Sequence, residues 1–340
     1  MDYHILIWIL LMPKLITFGE TMVQYNATYD GPFIEDGTYI LDAAGAESNF
    51  AINLSKINED IETVWISRLG NDEAGKFILE NLKCKTKISV KMDASDFTGI
   101  SYLNHIDEDT HVKKYVRKNS AASKIDFSDI KPQIITADAI HLTGITPALS
   151  DQCYRTVFET LEYSKNSNIP VILDINYREP LWPPSVAKQT YDLMIKYPFI
   201  LKMGLDEAEK VWQLGFTDIE YVKYFHSVTK SIVLLTRGSN GAILYDGNHI
   251  IEHSGYKVNV VDPIGAGDAF MAGFVGALFK HINNKNMLEI NTLNNHKELE
   301  LSLKVANVCG ALTCTARGDT ASMPNIQDAM KIIRENKIFS

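Results

Sequence analysis

Cysteine is scarce in this chain of 340 residues, with only Cys84, Cys153, Cys309 and Cys314. Their spacing builds neither a zinc knuckle nor a disulfide framework, and so few thiols in so long a chain point to a reducing, cytoplasmic setting. Cys309 and Cys314 fall in an apolar helical stretch, so both are expected as buried thiols. Long hydrophobic runs are lacking too. The run ILIWILLM at 5–12 is far short of the ~20 apolar residues that cross a bilayer, and it has neither a basic flank nor a small-residue cleavage site. Positive charge is the third shortage. Net charge is −9 with a pI near 5.5, and KCKTK at 83–87 is too short to act as a polybasic patch. Nucleic acid and membranes are therefore excluded as expected partners. A bound anion must be met by backbone N–H groups and single arginines.

Several chemistry-bearing patterns are also missing: the GxxxxGK[ST] phosphate loop, the HExxH zinc helix and the GxSxG nucleophile turn. There is no internal repeat. What the chain does hold is an ordinary globular composition, 46% hydrophobic and 22% charged. From about residue 139, short apolar runs alternate with helical patterns: AIHLTGI (139–145), PVILDIN (170–176), PFILKM (198–203) and SIVLLT (231–236). Continuous apolar strands between helices predict an α/β fold, a mostly parallel central sheet with helices on both faces. Ligands of such sheets bind beyond the carboxyl ends of the strands.

Residues 20–45 and 97–118 break this rhythm with strand-like alternation and turn residues. They are expected to form a small antiparallel sheet that acts as a lid, leaving 12–19, 46–96 and 119–340 as the core. Met12 opens what reads as the first strand, so residues 1–11 are expected to be a non-essential extension.

The stretch VVDPIGAGDAFMAGF at 260–274 sets Asp268 behind Gly265, Ala266 and Gly267, between a strand-like and a helix-like run. Amides at a helix start already favour negative charge. A carboxylate there is either a plain helix cap or an acid with chemistry to do. Arg178 follows the carboxyl end of the PVILDIN strand, and Tyr115 and Arg117 share one face of a lid strand by the period of two. Arginine forks suit a carboxylate ligand, although either arginine would also serve as a surface ion pair.

Residues 262–275, DPIGAGDAFMAGFV, resemble position by position the C-terminal motif of the ribokinase-like (PfkB) family of carbohydrate kinases. AGAESNFAINLSKI (44–57) resembles that family's N-terminal sugar-binding motif, and RLGNDEAGKFI (68–78) extends the likeness. YVRKNSAAS (115–123), HLTGITPALS (141–150) and LDINYREPLW (173–182) resemble the branch acting on 2-keto-3-deoxygluconate. The resemblance implies a ribokinase-like fold and a kinase using ATP and Mg²⁺ on a sugar acid, forming the 6-phosphate, with self-association of the chain common among relatives. It implies Asp268 as the base, backed by the amides of Gly265, Ala266 and Gly267. Substrate contacts would come from Gly45, Asn49, Tyr115, Arg117 and Arg178. Tyr102 would join them, although relatives carry their tyrosine at the position of Ser101 and alternation turns Tyr102 the other way. Thr236, Arg237, Gly238 and Asn307 would hold the nucleotide. Of the family's N-x-x-E motif only Glu207 is kept, in Gly204-Leu205-Asp206-Glu207, and it would orient magnesium through water. Asp262 falls where relatives hold a monovalent cation. A kinase of a neutral sugar such as fructose or ribose, or a non-catalytic sugar or nucleotide sensor, is the alternative.

Overall fold

The computed structural model describes residues 12–34, 36–106, 111–281 and 296–335. The extension expected at 1–11 lies outside the described residues. Among them, thirteen strands form two sheets. The strands are β1 (Lys14–Phe18), β2 (Met22–Asp30), β3 (Tyr39–Ala44), β4 (Glu62–Gly70), β5 (Lys87–Asp93), β6 (Ile100–His105), β7 (His111–Val116), β8 (Ala139–Thr143), β9 (Val171–Asp174), β10 (Ile200–Gly204), β11 (Ile232–Thr236), β12 (Ala242–Tyr245) and β13 (Ile250–His253). The α-helices are α1 (Ala46–Ile57), α2 (Glu73–Leu82), α3 (Phe127–Ile134), α4 (Asp151–Asn166), α5 (Pro184–Met194), α6 (Leu205–Trp212), α7 (Asp218–Thr229), α8 (Ala266–His281), α9 (His296–Thr313) and α10 (Ile326–Glu335).

The large sheet runs β13-β12-β11-β10-β9-β8-β1-β4-β5. It is parallel from β11 to β5, as the apolar runs predict. The antiparallel pair β12 and β13 closes one edge, and β5 closes the other. Successive side chains of one strand enter opposite cores because the strand period is two. Leu15, Ile172, Ile200, Ile232 and Leu234 pack with α1, α8 and α9. Ile16, Ile140, Leu142, Leu173, Leu201 and Val233 pack on the other face with α3 to α7.

Helix α8 is apolar nearly all round because it lies between the sheet and two other helices. Its glycines mark the closest approaches. A Cβ on Gly273 would lie 2.7 Å from Cys309 Sγ and 3.2 Å from Ala306 Cα, and one on Gly276 would lie 2.4 Å from Ile57 Cγ2. Helix α9 ends at Thr313, so Cys309 is buried within it while Cys314 lies just past its end and is only partly buried.

The small sheet runs β3-β2-β6-β7. Its expected antiparallel order holds for β2–β3 and β6–β7, but β2 and β6 pair parallel. The correction has a simple cause: the two segments come from separate parts of the chain, with β4, β5 and two helices between them, so no hairpin forces them antiparallel. One face of this sheet carries Lys113 and Tyr115 toward the large sheet, while its base packs on a third cluster with Val23, Trp65 and Ile78.

Strand order reverses between β1 and β8, the crevice where ligands of open α/β sheets bind. The loops leaving β1, β8, β9, β10 and β11 all open there, under the small sheet.

Replacing Gly273 by Leu is expected to cost on the order of 1–3 kcal/mol through overpacking between α8 and α9. The urea midpoint should fall with little change in m-value. An unchanged midpoint would mean that the two helices are not held at this spacing.

Candidate active site

Three neighbouring cavities line the carboxyl edge of the sheet. An outer cleft of about 760 Å³ is walled by Leu205, Asp206, Asp218, Thr236, Arg237 and Gly238, among others. A middle cavity of about 370 Å³ shares Asp206 and Thr236 with it and reaches Glu207, Lys202 and Gly267. An inner cavity of about 80 Å³ lies under the small sheet, against Glu20, Gly45, Asn49 and Arg117. Asp268 lines both the middle and inner cavities.

The turn that carries Asp268 is built by its neighbours. Asp262 Oδ1 accepts the Ile264 N–H at 3.0 Å and braces the bend. Gly265 has φ +82, and a Cβ there would lie 2.8 Å from the backbone oxygen of Asp319, so both conformation and space demand glycine. Helix α8 begins at Ala266, and its first N–H groups have no partner four residues back. Those of Gly267 and Asp268, which line the middle cavity, supply fixed positive dipole ends, while the Ala266 N–H donates to the Pro263 carbonyl at 3.4 Å.

Asp268 is only 8% exposed. Its Oδ2 accepts Asn49 Nδ2 at 2.9 Å and its Oδ1 accepts Asn176 Nδ2 at 3.2 Å. Burial raises its carboxyl to about 7. The Asn49 hydrogen bond and Arg178 pull it down, while Asp174 and Asp319 push it further up. The same Asn49 amide also donates to Asp319 Oδ2 at 2.8 Å. Burial raises Asp319 to about 6, against the pull of Lys113 and Asn49. Two acids are thus tied to one amide. Asn49 sits on the first turns of α1, whose N-cap is Gly45; a Cβ on Gly45 would lie 2.4 Å from the Glu20 oxygen, so the chain passes there only without a side chain.

Beneath the middle cavity, Lys202 and Asp174 face each other across β10 and β9 as a buried ion pair at 2.9 Å. Burial opposes the Lys202 charge, and Asp174 with Glu207 outweighs it, so the ammonium is held above its usual range. Its Nζ lies 3.0 Å from where a Cβ on Gly267 would be. Glu207 Oε2 accepts the Gly204 N–H at 2.7 Å, and its Oε1 lies 3.9 Å from Arg178. Burial raises the Glu207 carboxyl despite Lys202 nearby.

Most of the residues singled out by the sequence meet here. Gly45, Asn49, Tyr115, Arg117 and Arg178 line the inner cavity; Tyr115, Arg178, Glu207, Gly265, Gly267 and Asp268 line the middle one; Thr236, Arg237 and Gly238 line the outer cleft. Arg237 is held by Asp218 and Glu252 at 2.8 and 2.7 Å. Arg117 is less free than expected, because its fork is already paired with the fully buried Glu20, which Ser120 also contacts.

One residue is corrected. Tyr102 turns away from the cavities. It pairs with Lys114 while Ser101 pairs with Tyr115, and no register shift intervenes in that ladder. Its ring stacks on Tyr25 with centroids 4.9 Å apart on the outer face. Asp262, Ala266 and Asn307 line none of these three cavities; the Asn307 amide donates to the Leu303 carbonyl one turn back in α9 at 2.9 Å. Glu20, Lys113, Asp174, Asn176, Lys202 and Asp319 were not singled out. A lysine in the apolar run PFILKM and the acid in GDT after α9 were the available signals. The others become legible only when distant loops are brought together.

The family model for pfkB family carbohydrate kinases matches residues 12–326. The 2-dehydro-3-deoxygluconokinase of Thermoproteus tenax is 30% identical, over 95% of each chain. Fructokinase-1 of Oryza sativa is 26% identical over 94% of this chain and 97% of the other. Among solved structures, the ATP-bound fructokinase of Xylella fastidiosa superposes with a TM-score of 0.83 at 18% identity, covering 96% and 99% of the two chains. The 2-dehydro-3-deoxygluconokinase of Thermotoga maritima gives 0.80 at 21% identity. The likeness extends over nearly the whole of this chain, whose large, mostly parallel sheet and smaller second sheet make a ribokinase-like fold. With its GAGD turn at the head of α8 and a family match running almost end to end, the chain belongs to the pfkB family of carbohydrate kinases.

Proposed function

We propose that this protein is an ATP-dependent kinase of 2-keto-3-deoxygluconate, forming the 6-phosphate with Asp268 as general base. The observation that carries the reading is Asp268 itself: a buried carboxylate on the boundary of two cavities, fixed by two amides, with its ionisation moved to about pH 7. A base titrating near the working pH combines a large ionised fraction with a strong pull on a proton.

In this reading the sugar acid occupies the inner cavity with its 6-hydroxyl toward Asp268. The acceptor oxygen attacks the terminal phosphorus, the bond from phosphorus to the bridging oxygen breaks, and ADP leaves with that electron pair. The hydroxyl proton ends on Asp268. The amides of Ala266, Gly267 and Asp268 meet charge on the phosphoryl oxygens. Thr236, Arg237 and Gly238 border the cleft for the rest of the nucleotide. Lys202, held charged by Asp174, adds a fixed cation beside Gly267.

The donor set suits magnesium in its usual role with phosphates. Among the described residues no cluster of three or more His, Cys, Asp or Glu could cage a metal ion. Mg²⁺ is commonly held by one or two carboxylates, substrate phosphates and water, and Glu207 in the middle cavity is the residue that would orient it. Such an ion would neutralise phosphate charge. A monovalent cation beside Asp262 has less support, since Oδ1 of that residue is engaged by Ile264 N–H, and no step is derived through it. Self-association is supported by Leu41, Val112 and Val116, all exposed on the outer face of the small sheet.

The acid substrate is favoured by the 2-dehydro-3-deoxygluconokinase relatives and by Arg178 beside the inner cavity. A neutral ketose is the second reading, favoured by one observation: Glu20 already neutralises Arg117.

The primary test is ADP release across a panel of sugars and sugar acids, in which 2-keto-3-deoxygluconate should give the highest kcat/KM. A neutral sugar at the top would replace the substrate assignment. Asp268→Asn should lower kcat by about 10²–10⁴-fold with acceptor binding largely kept; unchanged turnover would remove Asp268 from its role. Arg178→Ala should cost roughly 10- to 100-fold in kcat/KM on the acid, the value of a charge-assisted contact, and little on any neutral sugar. An equal loss on both would free Arg178 from the carboxylate.

The pH profile follows from the sign of the Asp268 shift. The base acts when ionised, so kcat/KM should rise as pH increases through about 7 and then level. Asn49→Ala removes the hydrogen bond that favours the ionised form, so the rising limb should move to higher pH. A limb at ordinary carboxylate values would speak against this base.

A further inference from the structure

We propose that Lys113, presented by β7, is a catalytic residue that meets the charge on the phosphoryl group as it crosses between the two cavities. The inference rests on the phosphoryl-transfer reading above, but not on which sugar is the acceptor.

The geometry begins with strand alternation. Lys113 and Lys114 are neighbours in sequence with opposite surroundings. Lys114 lies over the Phe33 ring at 4.3 Å on the outer face. Lys113 turns inward with Tyr115 and lines both the middle and the inner cavity. Those two cavities share six residues: Lys113, Tyr115, Arg178, Ile264, Gly265 and Asp268. A group handed from one cavity to the other must pass this ring.

Only Lys113 and Arg178 carry positive charge in the ring. Arg178 is partly neutralised by Glu207 at 3.9 Å. The remaining nearby arginine, Arg117, is paired with Glu20. Lys113 forms no ion pair or hydrogen bond with any described residue; its ammonium lies 5.8 Å from the centroid of the Tyr115 ring. Burial pushes that ammonium below its usual range, Asp319 and Asp262 attract it, and Arg178 and Arg117 repel it. A largely buried cation with no carboxylate in direct contact is unfavourable unless a ligand supplies the anion.

The position of Asp268 says which anion. Its carboxylate is in the same ring, and it fixes the reacting hydroxyl there. Of the two cations in the ring, Arg178 is the one read above as reaching toward the acceptor's carboxylate, at the far end of the carbon chain from that hydroxyl. The anion left to Lys113 is the transferring phosphoryl, which crosses beside Asp268. Lys113 remains protonated throughout and donates N–H bonds to the phosphoryl oxygens, while the hydroxyl proton goes to Asp268. A preorganised donor aimed at charge that develops in the transition state accelerates the step more than it tightens binding.

The test is the split between turnover and binding in Lys113→Met and Lys113→Arg, measured on whichever acceptor the wild-type enzyme phosphorylates. Lys113→Met should lose about 10²–10³-fold in kcat, the cost of one such donor. The acceptor Kd, read by calorimetry without nucleotide, should be essentially unchanged, which also shows that the variant is folded. Lys113→Arg should recover part of the lost kcat. Tight binding of ADP with aluminium fluoride and acceptor, a mimic of the planar phosphoryl, should be lost in Lys113→Met while ADP alone binds as before. Unchanged kcat, or a loss that appears wholly in acceptor Kd, would overturn the proposal. Failure of the parent reading is seen separately: a wild-type enzyme that phosphorylates no sugar removes the kinase assignment, and one that prefers a neutral sugar removes only the acid.

Discussion

The site depends on one amide. Asn49 reaches from α1 to donate to Asp268 on α8 and Asp319 in the loop after α9, at 2.9 and 2.8 Å. Two buried carboxylates this close would otherwise drive each other apart or stay protonated. A single NH₂ group with two donors satisfies one oxygen of each and fixes both without adding net charge. Three segments from the beginning and end of the chain are thereby locked around one point. The rest of the architecture brings that point to the crevice where β1 and β8 diverge.

The sheet supplies the remaining charges in a graded order. Lys202 and Asp174 neutralise each other below the site, so they set a local field without drawing in a ligand. Glu20 does the same to Arg117 at the inner end. Cations left less fully matched, Arg178 and Lys113, are those on the boundary between cavities. A chain with net charge −9 can attract a polyanion only through such local imbalance, helped by the amides at the head of α8.

How much of this was legible in the sequence follows from physical range. The strands β8 to β11 read directly, because burial on both faces makes each a continuous apolar run. The turn before α8 read directly too, since Gly265 and Asp268 are demanded by conformation and charge within a few residues. The hairpin β12–β13 and edge strand β5 were missed: their runs are short or half exposed, and nothing local separates them from loops. The small sheet was found, but its β2–β6 pairing was not, because parallel or antiparallel order between remote segments leaves no local pattern. Tyr102 shows the limit for side chains. Alternation alone gave its true direction, and the likeness to relatives argued the other way. Asp319 and Glu20 gain their meaning only from partners 270 and 97 positions away.

The Lys202–Asp174 rung has an effect beyond chemistry. Within β10 the lysine is flanked by Leu201 and Met203, both fully buried. If β10 slid by one residue against β9 during folding, every side chain would change faces and the ammonium would enter a hydrocarbon layer without its counterion. The wrong alignment is therefore rejected by its own electrostatics before the molecule is complete. One ion pair beneath the cavities thus also acts as a register check on the strands that carry them.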